Sequence, residues 1–144
     1  MCGICAYLGK KKAFGILFNG LQILQNRGYD SAGICTISDD DFSLSKFATC
    51  SNTCALEQLE KTKQLHTGTI GISHTRWATH GPKTKVNAHP HNDINNKISL
   101  VHNGIIENYK EIYKKLVQKG YKFVSETDTE VILNLISSLL DEGF

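Results

Sequence analysis

The residue of this chain best equipped for chemistry is the cysteine at position two. Methionine aminopeptidase accepts so small a second residue, and removal of Met1 leaves Cys2 with a thiol and a free α-amine. The amine titrates near pH ~7.7–8.0, so near neutrality part of it is unprotonated and placed to take the thiol proton. Cys2 is then a nucleophile with its own base. A retained Met1 would tie the amine into a peptide bond and remove that base.

Three further groupings are chemically suited to such a nucleophile. Asn103-Gly104 follows an apolar β-rich run. An Asn-Gly pair is a common turn, but its side-chain amide and a glycine backbone N–H can also form an oxyanion hole, with no Cβ to block a ligand. Arg76 and Asp128 are separately a solvated charge and a helix start. Together they could grip the two ends of an α-amino acid, the guanidinium as a fork on the carboxylate and the aspartate on the ammonium. The histidines His74, His80, His89 and His91, with Cys2 or Cys5, are zinc-type ligands. However, there is no CxxC or HExxH, and Cys50 and Cys54 have no second half. Loop histidines bonded to backbone carbonyls are expected instead, and no metal site. Trp77, the one tryptophan, suits core filling or a lid over a pocket. Arg27 and Asp30 bracket a glycine-containing turn, where an internal ion pair and a ligand contact are both open.

Composition excludes several classes. The 144 residues fit one domain, able to bury roughly 70% of its unfolded surface. A net charge of +2, with 21% charged residues and only two arginines, gives no footprint for nucleic acid or an anionic membrane. No apolar run reaches the roughly 20 residues of a membrane span, and no secretory signal opens the chain. A cytoplasmic location is expected, with the five cysteines as free thiols and Cys5 and Cys35 as small buried residues.

The elements that must position these groups follow from periodicity and turn residues. Gly3 to Leu8 reads as a buried strand with Cys2 at its head. Ala13, Ile16, Leu17, Leu21 and Leu24 form a helical stripe closed by Arg27-Gly28. Ala32 to Ile37 and Phe42 to Ala48 read as hairpin strands about the turn Ser38 to Asp41. Leu56 to Leu65 suits a short helix and Thr69 to His74 a strand. A long loop runs on to Asn96, of the kind that carries function in compact domains. Ile98 to His102 reads as a strand, Tyr109 to Leu116 as a helix stopped at Gly120, and Tyr121 to Val124 as a short extended piece. Thr127-Asp-Thr-Glu130 matches a capping box. It opens a helix expected to bury Val131, Ile132, Leu135, Ile136, Leu139 and Leu140. This order argues for an α+β or layered sandwich.

Met1-Cys-Gly-Ile, RGYDSAG, HTRWATHG, VNAHPH, VHNGIIENY and SETDTEV together resemble the glutaminase domain of the glutamine:fructose-6-phosphate amidotransferases, the class II, N-terminal-nucleophile type. Related phosphoribosyl-pyrophosphate amidotransferases and asparagine synthetases share the Cys2 start and the Asn-Gly pair, but RGYDSAG and HTRWATHG favour the hexosamine family. The resemblance implies a four-layer αββα sandwich of the N-terminal nucleophile hydrolase type. It implies Cys2 as nucleophile and Asn103 and Gly104 as oxyanion hole. Arg76 and Asp128 would hold the backbone groups of glutamine, Thr79 and His80 would help at its carboxylate end, and Trp77 would gate the exit of ammonia. Arg27, His89 and His102 lie inside family motifs as supporting residues. The implied reaction is hydrolysis of glutamine to glutamate and ammonia, without metal or cofactor.

Family domains continue through more strands and then two sugar isomerase domains that bind fructose 6-phosphate. Residues 1–144 are therefore expected to be a truncated glutaminase domain, with sheet edges left unpaired. Fructose 6-phosphate would be a partner only through the absent domains, and a homo-oligomer is open for the full-length enzyme. The alternatives are a non-catalytic module that only binds glutamine or docks onto a partner, and a zinc-binding regulatory domain.

Overall fold

Alternation of side chains builds the first layer. In β1 (Gly3–Leu8) the residues Gly3, Cys5 and Tyr7 turn toward a helix, while Ile4 and Leu8 turn away and stay exposed. The computed structural model describes residues 2–77 and 82–144. Among them β1, β2 (Ser31–Ser38), β3 (Asp41–Ala48) and β4 (Ile70–Arg76) form one antiparallel sheet in the order β1-β4-β2-β3. The β2–β3 hairpin turns at Asp39 and Asp40, both with positive φ (49° and 68°), as a two-residue hairpin turn matched to strand twist requires.

Helices α1 (Ala13–Leu24) and α2 (Ala55–Glu60) cover one face of this sheet. Leu17, Leu21, Ile34 and Leu59 are wholly buried there, each contributing about 1.5–3 kcal/mol of burial. The α1 stripe differs from the sequence reading at one position. Ile16 is 37% exposed and Phe14 and Phe18 are buried in its place. Leu17 sits over Gly71, where no Cβ intervenes, and that rotation carries the two stacked phenyl rings inward, Phe14 onto His66. The larger aromatic area wins. A single-turn 3-10 segment, Gln25–Arg27, closes α1 before Gly28.

The other face of β2 and β3 is covered by the stretch from Val86 to Asn92. Lys46 Nζ donates to the carbonyls of Ala88 (2.7 Å) and Val86 (3.4 Å), and Cys35 Sγ donates to Asn92 Oδ1 (3.7 Å). A Cβ at Gly33 would fall 2.1 Å from the His89 carbonyl oxygen, so only glycine admits this approach. The long loop of the sequence reading thus contains a strand, β5 (His91–Asn92), paired with β6 (Ser99–Leu100) in a second, two-stranded sheet. Buried Asp93 closes the turn between them by accepting from the amides of Lys97 and Ile98, both at 2.7 Å. The strand expected over Ile98 to His102 shrinks to two residues, and Tyr121 to Val124 is irregular. The first pairs only with the two residues of β5, and among the described residues no strand pairs with the second.

Helices α3 (Tyr109–Gln118) and α4 (Asp128–Asp141) pack together, and α4 lies on β5 and β6. The layers are α1 and α2, the large sheet, the small sheet, then α3 and α4, an α+β sandwich. The small sheet leaves Ile4, Leu8 and Ile70 of the β1 and β4 half open.

Two readings of α4 are corrected. The helix buries Val131, Leu133, Asn134, Ser137 and Ser138, whereas Ile132, Leu135 and Ile136 are half-buried and Leu139 and Leu140 are exposed. Its polar side chains find partners inside: Ser137 donates to Asp93, Asn134 to the Lys122 carbonyl, and Ser138 accepts from Lys119. These bonds set the facing that periodicity misjudged. The capping box is also rearranged. Thr127 Oγ1 accepts from the Glu130 amide, but the Glu130 carboxylate reaches the amides of Val124 (2.9 Å) and Ser125 (2.6 Å) instead of that of Thr127. No helix of the described residues is long and apolar enough to cross a membrane.

Candidate functional site

The register of β1 against β4 places Cys2. Gly3 lies opposite Thr75 and Ile4 opposite His74, so Cys2 falls level with Arg76. The Trp77 amide, the next along, donates to Cys2 Sγ at 3.3 Å, and the thiol in turn faces the Trp77 carbonyl at 3.6 Å. A Cβ at Gly28 would lie within 2.8 Å of the Arg76–Trp77 peptide, so the glycine of the RGYDSAG motif admits the strand end that carries this donor. Trp77 itself is not core: it is 44% exposed and set edge-on to Tyr29.

Across from Cys2 stands the segment after β6. Asn103 Nδ2 donates to the Cys2 carbonyl at 3.2 Å and Asn103 Oδ1 faces His74 Nε2 at 2.8 Å. Nδ2 carries two N–H groups, and one of these satisfies Cys2 while the other remains to meet an oxygen in the cleft. Gly104 has φ +155°, a backbone conformation that L side chains rarely adopt, which favours glycine there.

Cys2, Asn103 and Gly104 line a cleft of about 1170 Å³ shared with Arg76, Trp77 and Asp128. Arg76 is 8% exposed with Nη1 donating to the Pro82 carbonyl (3.3 Å), and Asp128 Oδ2 accepts from the Ile106 amide (2.8 Å). Each is held by backbone, which fixes where it presents its charge. Arg27, His89 and His102 line the same cleft. Thr79 and His80 lie outside the described residues, as does Met1. Asp30 is bridged by Lys83 (2.6 Å).

Three of the described histidines, His74, His89 and His91, form a packed array. His74 and His89 stack at 4.4 Å and His89 meets His91 edge-on at 4.8 Å. His89 Nδ1 accepts from the His102 amide, and His91 contacts Thr127 Oγ1 (3.1 Å) and Lys46 Nζ (3.5 Å). Among the described residues no group of three or more His, Cys, Asp or Glu side chains is arranged to hold a metal. The partners are thus side chains and an amide instead of the backbone carbonyls expected.

Burial keeps this array neutral. It lowers His74 to about 4, against the opposing bond to Asn103 and with help from Arg76 and His102. Burial, then Lys46, His74 and Arg76, lowers His91 to about 3, and His89 is depressed further, by burial first and then by its neighbours His74, His91, Arg76 and Lys46. Lys46 falls to about 8, chiefly through burial. An unfolded imidazole titrates near ~6.5, above the folded values. The neutral rings therefore contribute stability that is complete above that pH and is lost as pH falls through the folded values. Thermal melts should show Tm nearly flat between about pH 7 and 8 and falling steeply between about pH 6 and 4. A Tm unchanged across the lower interval would contradict the array's neutrality.

Sequence reasoning missed three contributors: the Trp77 amide, Lys46 as the pin of the Val86 to Asn92 stretch, and His74 as partner of Asn103. Only His74 left a signal, since His74 and Arg76 are two apart in one strand and share a face.

Comparison with known proteins agrees with this geometry. The sequence profile of the glutamine amidotransferase domain matches residues 46–142. A glutamine–fructose-6-phosphate aminotransferase (isomerizing) of Bacteroides thetaiotaomicron is 52% identical over 136 residues, 94% of this chain and 22% of the relative. The enzyme of the same name from Methanococcus maripaludis is 54% identical over 138 residues, again 94% and 22%. The chain thus spans about a fifth of the length of these curated relatives. Among solved structures, the glutamine phosphoribosylpyrophosphate amidotransferase of B. subtilis superposes with TM-score 0.77 at 26% identity, covering 95% of this chain and 29% of that one. A second, the allosteric regulatory enzyme of purine biosynthesis, gives TM-score 0.79 at 26% identity. A profile over more than half the chain, laid on a fold that brings Cys2 against Asn103, leads to one assignment: this chain belongs to the glutamine amidotransferase domain family.

Proposed function

We propose that the cleft hydrolyses glutamine to glutamate and ammonia. After loss of Met1, the Cys2 α-amine takes the thiol proton and the sulfur attacks the side-chain carboxamide carbon. The oxyanion receives the spare Asn103 N–H and the Gly104 amide. Collapse expels ammonia, protonated by the α-ammonium, and water then cleaves the thioester to release glutamate and restore the thiol. Arg76 takes the α-carboxylate and Asp128 the α-ammonium, with Thr79 and His80 at the carboxylate end. Trp77 gates the ammonia, and Arg27, His89 and His102 support the walls. In the whole protein that ammonia would aminate fructose 6-phosphate to glucosamine 6-phosphate, on further domains and in the cytoplasm.

The observation that supports this reading most is the Cys2 sulfur bonded to a backbone amide, with the Asn103 carboxamide on the same residue. Intact mass, together with glutamate release from glutamine, tests it. A mass lacking Met1 with release of glutamate is the expected result. Retained Met1 without release would instead leave a module that only binds glutamine or docks onto a partner.

A further inference from the structure

We infer that His74 is the positioning residue of the oxyanion hole, fixing the Asn103 carboxamide so that its N–H groups and not its oxygen face Cys2 and the cleft. The inference rests on the glutaminase reading of the same cleft.

A carboxamide rotated by half a turn exchanges donor for acceptor, and the two orientations fill space equally well. Asn103 is itself exposed, so packing does not choose between them. The Cys2 carbonyl accepts from Nδ2 (3.2 Å), a contact that the flipped amide would turn into two oxygens facing each other. This bond alone would leave Oδ1 free to swing. The His74 contact, at 2.8 Å, ties that second end. For Nε2 to donate, the ring must be the Nε2–H tautomer, with Nδ1 bare. Nδ1 is buried and, among the described residues, without a hydrogen-bond partner. A proton there would be an unsatisfied buried donor, whereas a bare lone pair costs less, so the pocket favours the tautomer that Asn103 needs. The ring cannot turn away, being 1% exposed and stacked on His89, which accepts from the His102 amide. A rigid strand thus orients a side chain mounted on a loop, in the manner that second partners orient reacting groups.

Two variants in the natural full-length chain separate orientation from packing. His74→Phe keeps a stacked ring and loses the donor, and His74→Gln restores a donor without the ring. His74→Phe should lower kcat for glutamate release about 10- to 100-fold with KM within about twofold, since a misplaced oxyanion donor acts on the transition state. His74→Gln should recover most of that loss. In an Asn103→Ala background His74→Phe should add little, because the group it orients is gone. Crystal structures should show the Asn103 amide turned off the Cys2 carbonyl in His74→Phe and back on it in His74→Gln.

Unchanged kcat in His74→Phe, a loss that stays undiminished in the Asn103→Ala background, or an Asn103 amide still seated on Cys2 in the His74→Phe structure would each overturn the inference. A wild-type enzyme that releases no glutamate overturns the glutaminase reading instead, and the two crystal structures then decide the orienting role by themselves.

Discussion

Cys2→Ala is expected to reduce glutamate release by at least about 10⁴-fold, to the background of the assay, because removing a covalent nucleophile forfeits the whole two-step path. Alanine is as acceptable to methionine aminopeptidase as cysteine, so the variant keeps the same free amine and tests the sulfur alone. The fold should be indifferent to the change. Cys2 precedes β1, and among the described residues its sulfur hydrogen-bonds with the Trp77 amide and carbonyl. Glutamine should still bind within a few-fold of wild type by isothermal titration, since Arg76 and Asp128 are anchored by backbone groups independent of the sulfur. Loss of turnover with retained binding separates a catalytic cleft from a binding module. Glutamate release that survives in Cys2→Ala would remove the mechanism.

The second large effect belongs to Asn103→Ala. Removing one oxyanion-hole donor should lower kcat by about 10²–10³, or about 2.7–4 kcal/mol of transition-state stabilisation. KM should move little, because the donor meets a charge that develops only during attack. Exposed Asn103 contributes little packing, but its loss leaves the buried His74 Nε2–H without its acceptor, so Tm should fall by a few degrees. Asn103→Asp is the sharper control. Its carboxylate has the same shape, offers no N–H and repels the oxyanion, so it should be at least as slow as alanine. Steady-state kinetics on both variants decide the matter. A raised KM at unchanged kcat would reassign Asn103 to ground-state binding of substrate.

Much of the site was legible in the chain because it is carried by residue types with few other uses in such contexts. A cysteine at position two, an Asn-Gly pair after an apolar strand, and an arginine in a chain with only two all stood out before any contact was known. The elements were legible for a similar reason. The periods of β1, α1 and the β2–β3 hairpin are local, and the structure keeps them. The failures are where partners lie far away in sequence. Periodicity puts Ile16 in the core although Gly71, 55 residues on, decides how α1 is rotated. The leucines and isoleucines of α4 spell one stripe, but Asp93 and the Lys122 carbonyl draw its polar face inward.

The sequence by itself determined which groups are available: a sulfur beside an amine, an amide beside a glycine, and one arginine and one aspartate fit to hold an amino acid. Tertiary structure alone decided how they meet. Antiparallel pairing of β1 with β4 brings Cys2 to the Trp77 amide, and a histidine 29 residues upstream ties the far end of the Asn103 carboxamide. Side-chain type fixes what a group can donate or accept. Where it donates depends on register and burial, which the chain acquires only when its distant parts are packed together.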